Sequence, residues 1–96
     1  MGIDHVAINV ENIAKSVDWY VDVFNASVDY QDESWAMLKV GESKLALALK
    51  GQHPPQIAIE VNKFADSDTI REHRDGSKYV YKSDPDGNIV ELISYN

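Results

Sequence analysis

The sequence predicts an α+β fold built from two successive β-α-β-β-β modules, the second of which is shortened. Three observations predict it. Several short segments alternate apolar and polar residues, as half-buried strands do. One segment near the start of the chain instead has the 3.6-residue apolar spacing of an amphipathic helix. Finally, the strand-like segment 5–10 recurs at 56–61 with its apolar positions and its alanine in register, which indicates an internal repeat.

The first module begins with a predicted strand at residues 3–10, in which Val6, Ile8 and Val10 share one face. Asn12 is the predicted N-cap of the helix that follows, and Asn25 can take the left-handed conformation that ends it. The helix has one apolar stripe, formed by Ile13, Val17, Tyr20, Val21 and Phe24. Predicted strands at 28–31, 35–40 and 44–49 are joined by short turns, which favours an antiparallel meander.

The second module follows a linker at residues 51–55, where two prolines exclude regular structure. We expect a strand at 56–61, a short helical segment at 63–67 and strands at 69–73, 78–82 and 88–95. At 96 residues the chain has the length of a single domain. The predicted organisation is therefore one domain, 1–96, with module one at 1–50 and module two at 56–96.

Composition excludes several classes of protein. The net charge of −7 and the pI near 4.7 oppose binding to a phosphate backbone, so we expect no nucleic-acid partner. The chain has no cysteine, which excludes disulfides and thiolate metal sites. It also lacks a membrane-length apolar run and a signal-like start, so no membrane partner and a cytoplasmic location are predicted.

The end of the chain carries the strongest motif. Asp84-Pro85-Asp86-Gly87-Asn88 has the residues of a tight turn, and Glu91 lies in the apolar strand that follows. A carboxylate in an apolar strand either points to solvent or is paired, because burying it alone is costly. Both interpretations are open: Glu91 faces water, or it ligates a cation in a cavity.

The internal repeat suggests which residues accompany Glu91. Aligning the modules makes His5 equivalent to Gln56, and Leu47 equivalent to Glu91. Each module leaves one sheet face open, and two open faces packed together would enclose a cleft in which these positions converge. Trp35, with Tyr30, is a candidate for stacking on a ligand, and Arg74 for clamping an anion. Glu60 is a candidate base.

These residues resemble the vicinal oxygen chelate superfamily, which includes glyoxalase I, the fosfomycin-resistance enzymes, bleomycin-resistance proteins and extradiol dioxygenases. The resemblance covers nearly the whole chain. It is carried by Ile3-Asp4-His5-Val6-Ala7, by Ser16-Val17-Asp18-Trp19-Tyr20 with Val23-Phe24, and by Asp84-Pro85-Asp86-Gly87-Asn88 leading to Glu91. It implies the paired-module fold of that superfamily, with a curved sheet around a cleft.

The resemblance also implies a divalent metal site. Family members hold the ion with a first-strand His, a His on the strand that opens module two, and a last-strand Glu, and some add an acid in module one. His5 and Glu91 match this pattern, Gln56 replaces the second His, and Leu47 stands where the optional acid would be. Fe, Mn, Ni, Zn or Mg are the candidate ions. His53 is a possible substitute ligand, and a metal-free cluster in which His5 donates to Glu91 is the alternative.

Two functions follow from the resemblance. The first is a metal-dependent enzyme of the glyoxalase type, an isomerase, lyase, transferase or dioxygenase acting on a small oxygen-bearing substrate. The second is a non-catalytic small-molecule binding protein of the bleomycin-resistance type, which the acidic balance and the altered ligand favour. In either case the resemblance and the short chain predict a homodimer, with exchange of modules between subunits as one form of it.

Overall fold

The structure, a computed structural model, describes residues 2–96 and confirms the predicted α+β class. Its elements divide into two compact units, His5–Pro55 (the N-terminal unit) and residues 2–4 with Gln56–Asn96 (the C-terminal unit). In chain order the elements are β1 Gly2–Val10, α1 Ile13–Phe24, β2 Ser27–Gln31, β3 Trp35–Val40, β4 Ser43–Leu49, β5 Gln56–Glu60, β6 Arg71–Glu72, β7 Lys78–Ser83 and β8 Ile89–Ser94.

The N-terminal unit has the strand order β2-β3-β4-β1. β2, β3 and β4 form the predicted antiparallel meander, and β1 lies parallel to β4. The turn between β2 and β3 is held by the Asp32 carboxylate, which accepts hydrogen bonds from the backbone N–H groups of Ser34 and Trp35 at 2.7 and 2.9 Å. This turn sets the register of the hairpin and places Trp35 at the start of β3.

Helix α1 covers one face of this sheet. Asn12 caps it by accepting from the Lys15 N–H at 2.9 Å, and Asn25 ends it with a φ of 55°, both as predicted. Ile13 and Val17 are buried in the core between helix and sheet, together with Leu38 and Leu47. The predicted apolar stripe of α1 includes two residues near its C-terminus that are not buried, since Val21 and Phe24 are 40% and 52% exposed. The buried face of α1 therefore narrows toward its C-terminus.

The C-terminal unit repeats this topology without a helix. Its strand order is β5-β8-β7-β6, with β5 parallel to β8 and the two hairpins antiparallel. Cross-strand pairing places Ala58, Glu91 and Tyr81 side by side, with Gln56 and Tyr79 on the same face. We call this surface the Glu91 face and define it by these residues: Gln56, Ala58, Tyr79, Tyr81 and Glu91.

Two predicted elements of module two are wrong. Residues 63–67 are irregular with a turn at 66–67 and form no helical segment, since their only apolar side chains are Phe64 and Ala65 and they offer no stripe to bury. A hydrogen bond from the Asp68 N–H to the Ala65 carbonyl closes this turn at 3.0 Å. The strand expected at 69–73 shortens to Arg71–Glu72, because His73 already belongs to the turn that follows.

The predicted equivalence of Leu47 and Glu91 is also wrong, by one residue. Ala7 pairs with Ala46, whereas its repeat equivalent Ala58 pairs with Glu91. Ala46, not Leu47, is therefore the counterpart of Glu91. A slip of one residue reverses the face of a strand, and Leu47 is fully buried in the core under α1. The alternating Leu-Ala-Leu-Ala sequence of β4 fits either register, so the sequence did not separate them.

Among residues 2–96, no helix has the length and apolar character needed to cross a membrane.

A candidate site around Glu91

Glu91 is a buried carboxylate in the middle of β8. The turn before it forms as predicted: Asp84 Oδ1 accepts from the N–H groups of Asp86 and Asn88 at 2.9 and 2.8 Å, and Gly87 has a φ of 86°. These bonds, with the Asn88 side-chain bond first, hold the pKa of Asp84 below its usual range. Glu91 itself is 1% exposed, so the interpretation that it faces solvent is wrong.

Gln56 is one partner of Glu91. Its Nε2 donates to Glu91 Oε1 at 3.0 Å, from the first residue of β5. A carboxylate only accepts hydrogen bonds, so the amide must turn its nitrogen toward Glu91. Its oxygen, Gln56 Oε1, is then buried, and no group of the described chain donates to it. A buried acceptor without a donor costs about 1–3 kcal/mol, and a ligand at this atom would remove that cost.

His73 is the other partner, and the sequence did not predict it. Its Nε2 lies 2.6 Å from Glu91 Oε2, with the imidazole 36% exposed and the carboxylate 2% exposed. The sequence placed residue 73 at the end of a predicted strand, 69–73, and predicted a ligand contact only for its neighbour Arg74. Two turns in the sequence could have indicated this contact. Chain reversals at Asp75-Gly76 and at Asp86-Gly87 fold β6, β7 and β8 side by side, which brings residue 73 toward residue 91.

A tight hairpin end fixes the backbone of His73. Its N–H donates to the Ser77 carbonyl at 2.8 Å, and its carbonyl accepts from the Gly76 N–H at 3.0 Å. Gly76 has a φ of 89°, a conformation that favours glycine and is typical of a three-residue hairpin loop with a bulge. Asp75 Oδ1 accepts from the Ser77 hydroxyl at 2.6 Å, and this bond is the first cause that holds the pKa of Asp75 below its usual range.

Two tyrosines complete the Glu91 face. Tyr79 stacks on the His73 imidazole with a ring-centroid separation of 3.7 Å and an interplanar angle of 10°. Tyr81 lies directly across from Glu91 in the β7–β8 register. Burial raises the pKa of the Tyr81 phenol, and the neighbouring Glu91 carboxylate raises it further. Tyr81 is therefore a neutral hydrogen-bond donor at physiological pH.

The other predicted site residues lie as follows. His5 is half-buried on β1 in the N-terminal unit, opposite Lys44. Glu60 is exposed at the end of β5, opposite Ile93, and alternation along β5 places it on the same side of the sheet as Gln56. Arg74 is exposed in the turn after His73. Among the predicted site residues, Gln56 and Glu91 are in direct contact.

Trp35 forms an aromatic pair in the N-terminal unit. It stacks on Tyr30 with ring centroids 4.6 Å apart, and the two side chains are 37% and 41% exposed. The Tyr30 hydroxyl donates to Asp32 Oδ2 at 2.6 Å, and this bond is the main cause that lowers the pKa of Asp32. His53 is exposed, and its carbonyl accepts from Asn9 Nδ2 at 2.8 Å.

The side chains around Glu91 suit a divalent cation. Within residues 2–96 no three His, Asp or Glu side chains form a cluster, so the third donor here is an amide. Glu91 Oε2 and His73 Nε2 already converge on one proton, and a cation can replace that proton. Gln56 Oε1 adds an oxygen that lacks a donor. A carboxylate, an imidazole and an amide oxygen are ligands that divalent metals accept.

Comparison with known proteins identifies the family to which the chain is similar. The family model described as "Glyoxalase/Bleomycin resistance protein/Dioxygenase superfamily" matches residues 2–69. The metallothiol transferase FosB of Staphylococcus epidermidis is 29% identical over 90 residues, which are 94% of this chain and 64% of that protein. FosB of Staphylococcus haemolyticus matches with the same identity and coverage. The chain thus spans less than two thirds of the length of these curated relatives.

Solved structures show the same fold. A variant of Streptomyces coelicolor methylmalonyl-CoA epimerase, in complex with 2-nitronate-propionyl-CoA, matches with a TM-score of 0.75 and 20% identity, covering 98% of this chain and 94% of that chain. A glyoxalase/bleomycin resistance protein/dioxygenase superfamily member from Vibrio splendidus has a TM-score of 0.72 and 16% identity, covering 94% and 95%. At these identities the likeness concerns the fold.

Proposed function

Because the chain belongs to the Glyoxalase/Bleomycin resistance protein/Dioxygenase superfamily, we propose that it is a metal-dependent enzyme acting on a small oxygen-bearing substrate. The observation that carries the proposal is the contact of a buried carboxylate with an imidazole, next to an amide oxygen that lacks a donor. Buried carboxylates are rare unless they are paired or bind a cation. Glu91 has the partners that such a role requires.

In this proposal Glu91, His73 and Gln56 hold the ion. His5, which the sequence predicts as a ligand, stays a prediction. A bound divalent ion polarises substrate oxygens and stabilises negative charge that develops on them. A substrate that offers two oxygens would suit an ion held by these residues. Fe, Mn, Ni, Zn and Mg remain the candidate ions, and the amide donor favours the harder ones among them.

Residues of the chain supply the remaining chemistry. The neutral Tyr81 phenol, next to Glu91, donates a hydrogen bond to a substrate oxygen that gains charge. Glu60, exposed at the end of the strand that carries Gln56, is the proposed base that accepts a substrate proton. Trp35 and Arg74 remain proposed substrate contacts.

The relatives suggest which reactions to assay first. FosB is named a metallothiol transferase, and the epimerase is an isomerase of an acyl-CoA. Thiol transfer and isomerisation are therefore the first two reaction types to test for this chain, with lyase and dioxygenase reactions next.

Metal analysis tests the proposal. The protein, purified without chelator and then loaded separately with Mn²⁺, Ni²⁺ and Zn²⁺, should bind one ion per chain. Glu91→Gln and His73→Ala should lose that stoichiometry, whereas Arg74→Ala, a change at an exposed residue next to His73, should keep it. Failure of the wild-type protein to bind any of these ions would end the proposal.

A non-catalytic binding protein is the second candidate, and one observation favours it. The stacked pair Tyr30 and Trp35 is exposed beside the ionised Asp32, in a chain with 16 acidic and 9 basic residues. Aromatic faces and carboxylates together bind organic cations. Binding of a cationic aromatic compound to metal-free protein, lost in Trp35→Ala, would support this function.

We also propose that the chain acts as a homodimer, for which module exchange is one arrangement. Helix α1 supports it, because Trp19, Val23 and Phe24 are each at least half exposed and the rings of Trp19 and Phe24 contact each other. Large apolar side chains exposed together are typical of protein interfaces. Light scattering at micromolar concentration measures the oligomeric state, and a monomer would exclude the dimer.

A further inference from the structure

We propose that Tyr79 is a positioning residue: its ring fixes the plane of the His73 imidazole so that Nε2 points at Glu91. This inference rests on the proposed function, because it assigns a supporting residue to the same site. It also makes a claim about the metal-free protein, where the His73–Glu91 contact is already formed. An experiment can therefore contradict the positioning role of Tyr79 without contradicting the proposed metal-dependent function, and the reverse.

His73 needs such a support because its own surroundings restrain it weakly. It lies beyond the end of β6, and its side chain is 36% exposed. The hairpin bonds to Ser77 and Gly76 fix its backbone but leave both side-chain torsions to be set by contacts. One hydrogen bond to Glu91 constrains the position of Nε2, yet it still permits the ring to rotate about the line from Nε2 to Oε2.

The stack with Tyr79 removes that freedom. With ring centroids 3.7 Å apart and an interplanar angle of 10°, the imidazole lies nearly parallel to the phenol and packs against it. Rotation about the hydrogen bond would drive the imidazole into the phenol ring or lift it away from it. The hydrogen bond and the stack together thus define both the direction of Nε2 and the plane of the ring.

Tyr79 is itself firmly placed. It lies in the middle strand of the β6-β7-β8 part of the sheet, paired with Arg71 on one side and with Ile93 on the other. Its ring also contacts the edge of the Tyr81 ring at 5.3 Å and 70°. A strand residue with neighbours on both sides is a more rigid support than a loop residue. Rigidity is what a residue that orients a ligand must provide.

The proposed role needs the aromatic ring of Tyr79 and not its hydroxyl. Tyr79→Phe keeps the ring and should behave as wild type. Tyr79→Leu removes the flat face and should let the imidazole turn about its own side-chain torsions, which breaks the contact of Nε2 with Glu91 for part of the time and lets the ring proton exchange between Nε2 and Nδ1. If the leucine variant does not fold, Tyr79→Met, whose longer and unbranched side chain can adapt to the space without a ring, takes its place. Val80→Ala is the matched control, because Val80 is buried on the other face of the same strand.

Two measurements test the proposal. Long-range ¹H–¹⁵N spectra of the His73 ring in metal-free protein should show one tautomer, protonated at Nε2, in wild type, Tyr79→Phe and Val80→Ala, and averaged nitrogen shifts in Tyr79→Leu. Competition titration with Zn²⁺ should show Kd about 10-fold higher or more in Tyr79→Leu, the usual effect of losing a residue that orients a metal ligand. The other two variants should stay within about twofold of wild type.

The results separate the positioning role of Tyr79 from the proposed function. An unchanged His73 spectrum in Tyr79→Leu would overturn the positioning role, whether or not metal binds. A defect in Tyr79→Phe as large as that in Tyr79→Leu would assign the effect to the hydroxyl and equally overturn it. Absence of Zn²⁺ binding in every variant, with the predicted spectral difference intact, would overturn the proposed function and leave the positioning role supported.

Discussion

Gln56 and Glu91 are joined by a hydrogen bond that uses only half of the amide: Nε2 donates to Oε1 at 3.0 Å, and Gln56 Oε1 stays buried without a donor. The same position holds a histidine in the family pattern that the sequence resembles. An amide oxygen is a weaker ligand for transition metals than an imidazole. This one residue therefore sets how tightly the proposed site can bind such metals.

Gln56→His should tighten the binding of Zn²⁺ by about tenfold, equivalent to about 1.4 kcal/mol. The reason is that an imidazole replaces a weak donor and leaves no orphan oxygen. Competition titration against a chromophoric chelator measures the change. Gln56→Leu is the control, since it removes the amide and adds no ligand. Equal affinity in wild type and Gln56→His would show that residue 56 does not contact the metal.

His73→Ala should destabilise the metal-free protein by about 1.5–3 kcal/mol, because it removes a hydrogen bond to a buried carboxylate. Urea unfolding in the presence of a chelator measures the free energy without any contribution from metal. Arg74→Ala, at the neighbouring exposed position, should stay within about 0.5 kcal/mol of wild type. If both variants are equally stable, the His73–Glu91 contact contributes nothing to the fold.

Leu47→Ala should cost about 2–5 kcal/mol, since Leu47 is fully buried under α1 and its truncation leaves a cavity. The observed register predicts this loss, because it places Leu47 in the core and Ala46 opposite Ala7. The alignment that made Leu47 equivalent to Glu91 would place residue 47 in the ligand cleft, where truncation changes the free energy of unfolding only slightly. Chemical denaturation of Leu47→Ala distinguishes the observed register from that alignment, with the solvent-exposed change Lys50→Ala as the control.

Tyr30→Phe should raise the pKa of Asp32, because the Tyr30 hydroxyl is the largest cause of its lowered value. A group with a lowered folded pKa stabilises the fold fully above its unfolded pKa, about 3.9, and loses this effect as the pH falls through the folded value. The stability difference between wild type and Tyr30→Phe should therefore be constant near neutral pH and shrink in acid. Carboxyl ¹³C NMR titration of Asp32 gives the pKa directly, and an unchanged value would contradict the prediction.

The sequence predicted well where local chemistry decides the structure. Asn12 and Asn25 bound α1 as expected, because capping depends on side chains within a few residues. The turn before Glu91 formed as expected for the same reason. The family resemblance, whose motifs include that turn, agrees with the family model that matches residues 2–69.

The sequence predicted poorly where distant segments meet. His73 contacts Glu91 across two hairpins, and this contact depends on the register of three strands and on the bulge at Gly76. The misplaced equivalence of Leu47 has the same origin, since an alternating apolar strand fits its neighbour in more than one register. The predicted helical segment at 63–67 is wrong because its residues offer no apolar stripe that could be buried.

The unit that carries Glu91, Gln56 and His73 has no helix over its sheet within residues 2–4 and 56–96. Its buried apolar residues in that part of the chain are Ala58, Val61, Val80 and Ile93. Whatever binds there stabilises the native state by mass action and leaves the unfolded state untouched. Supply of that compound would then govern how long the polypeptide survives proteolysis in a cell, so scarcity of ligand would lower abundance as well as occupancy.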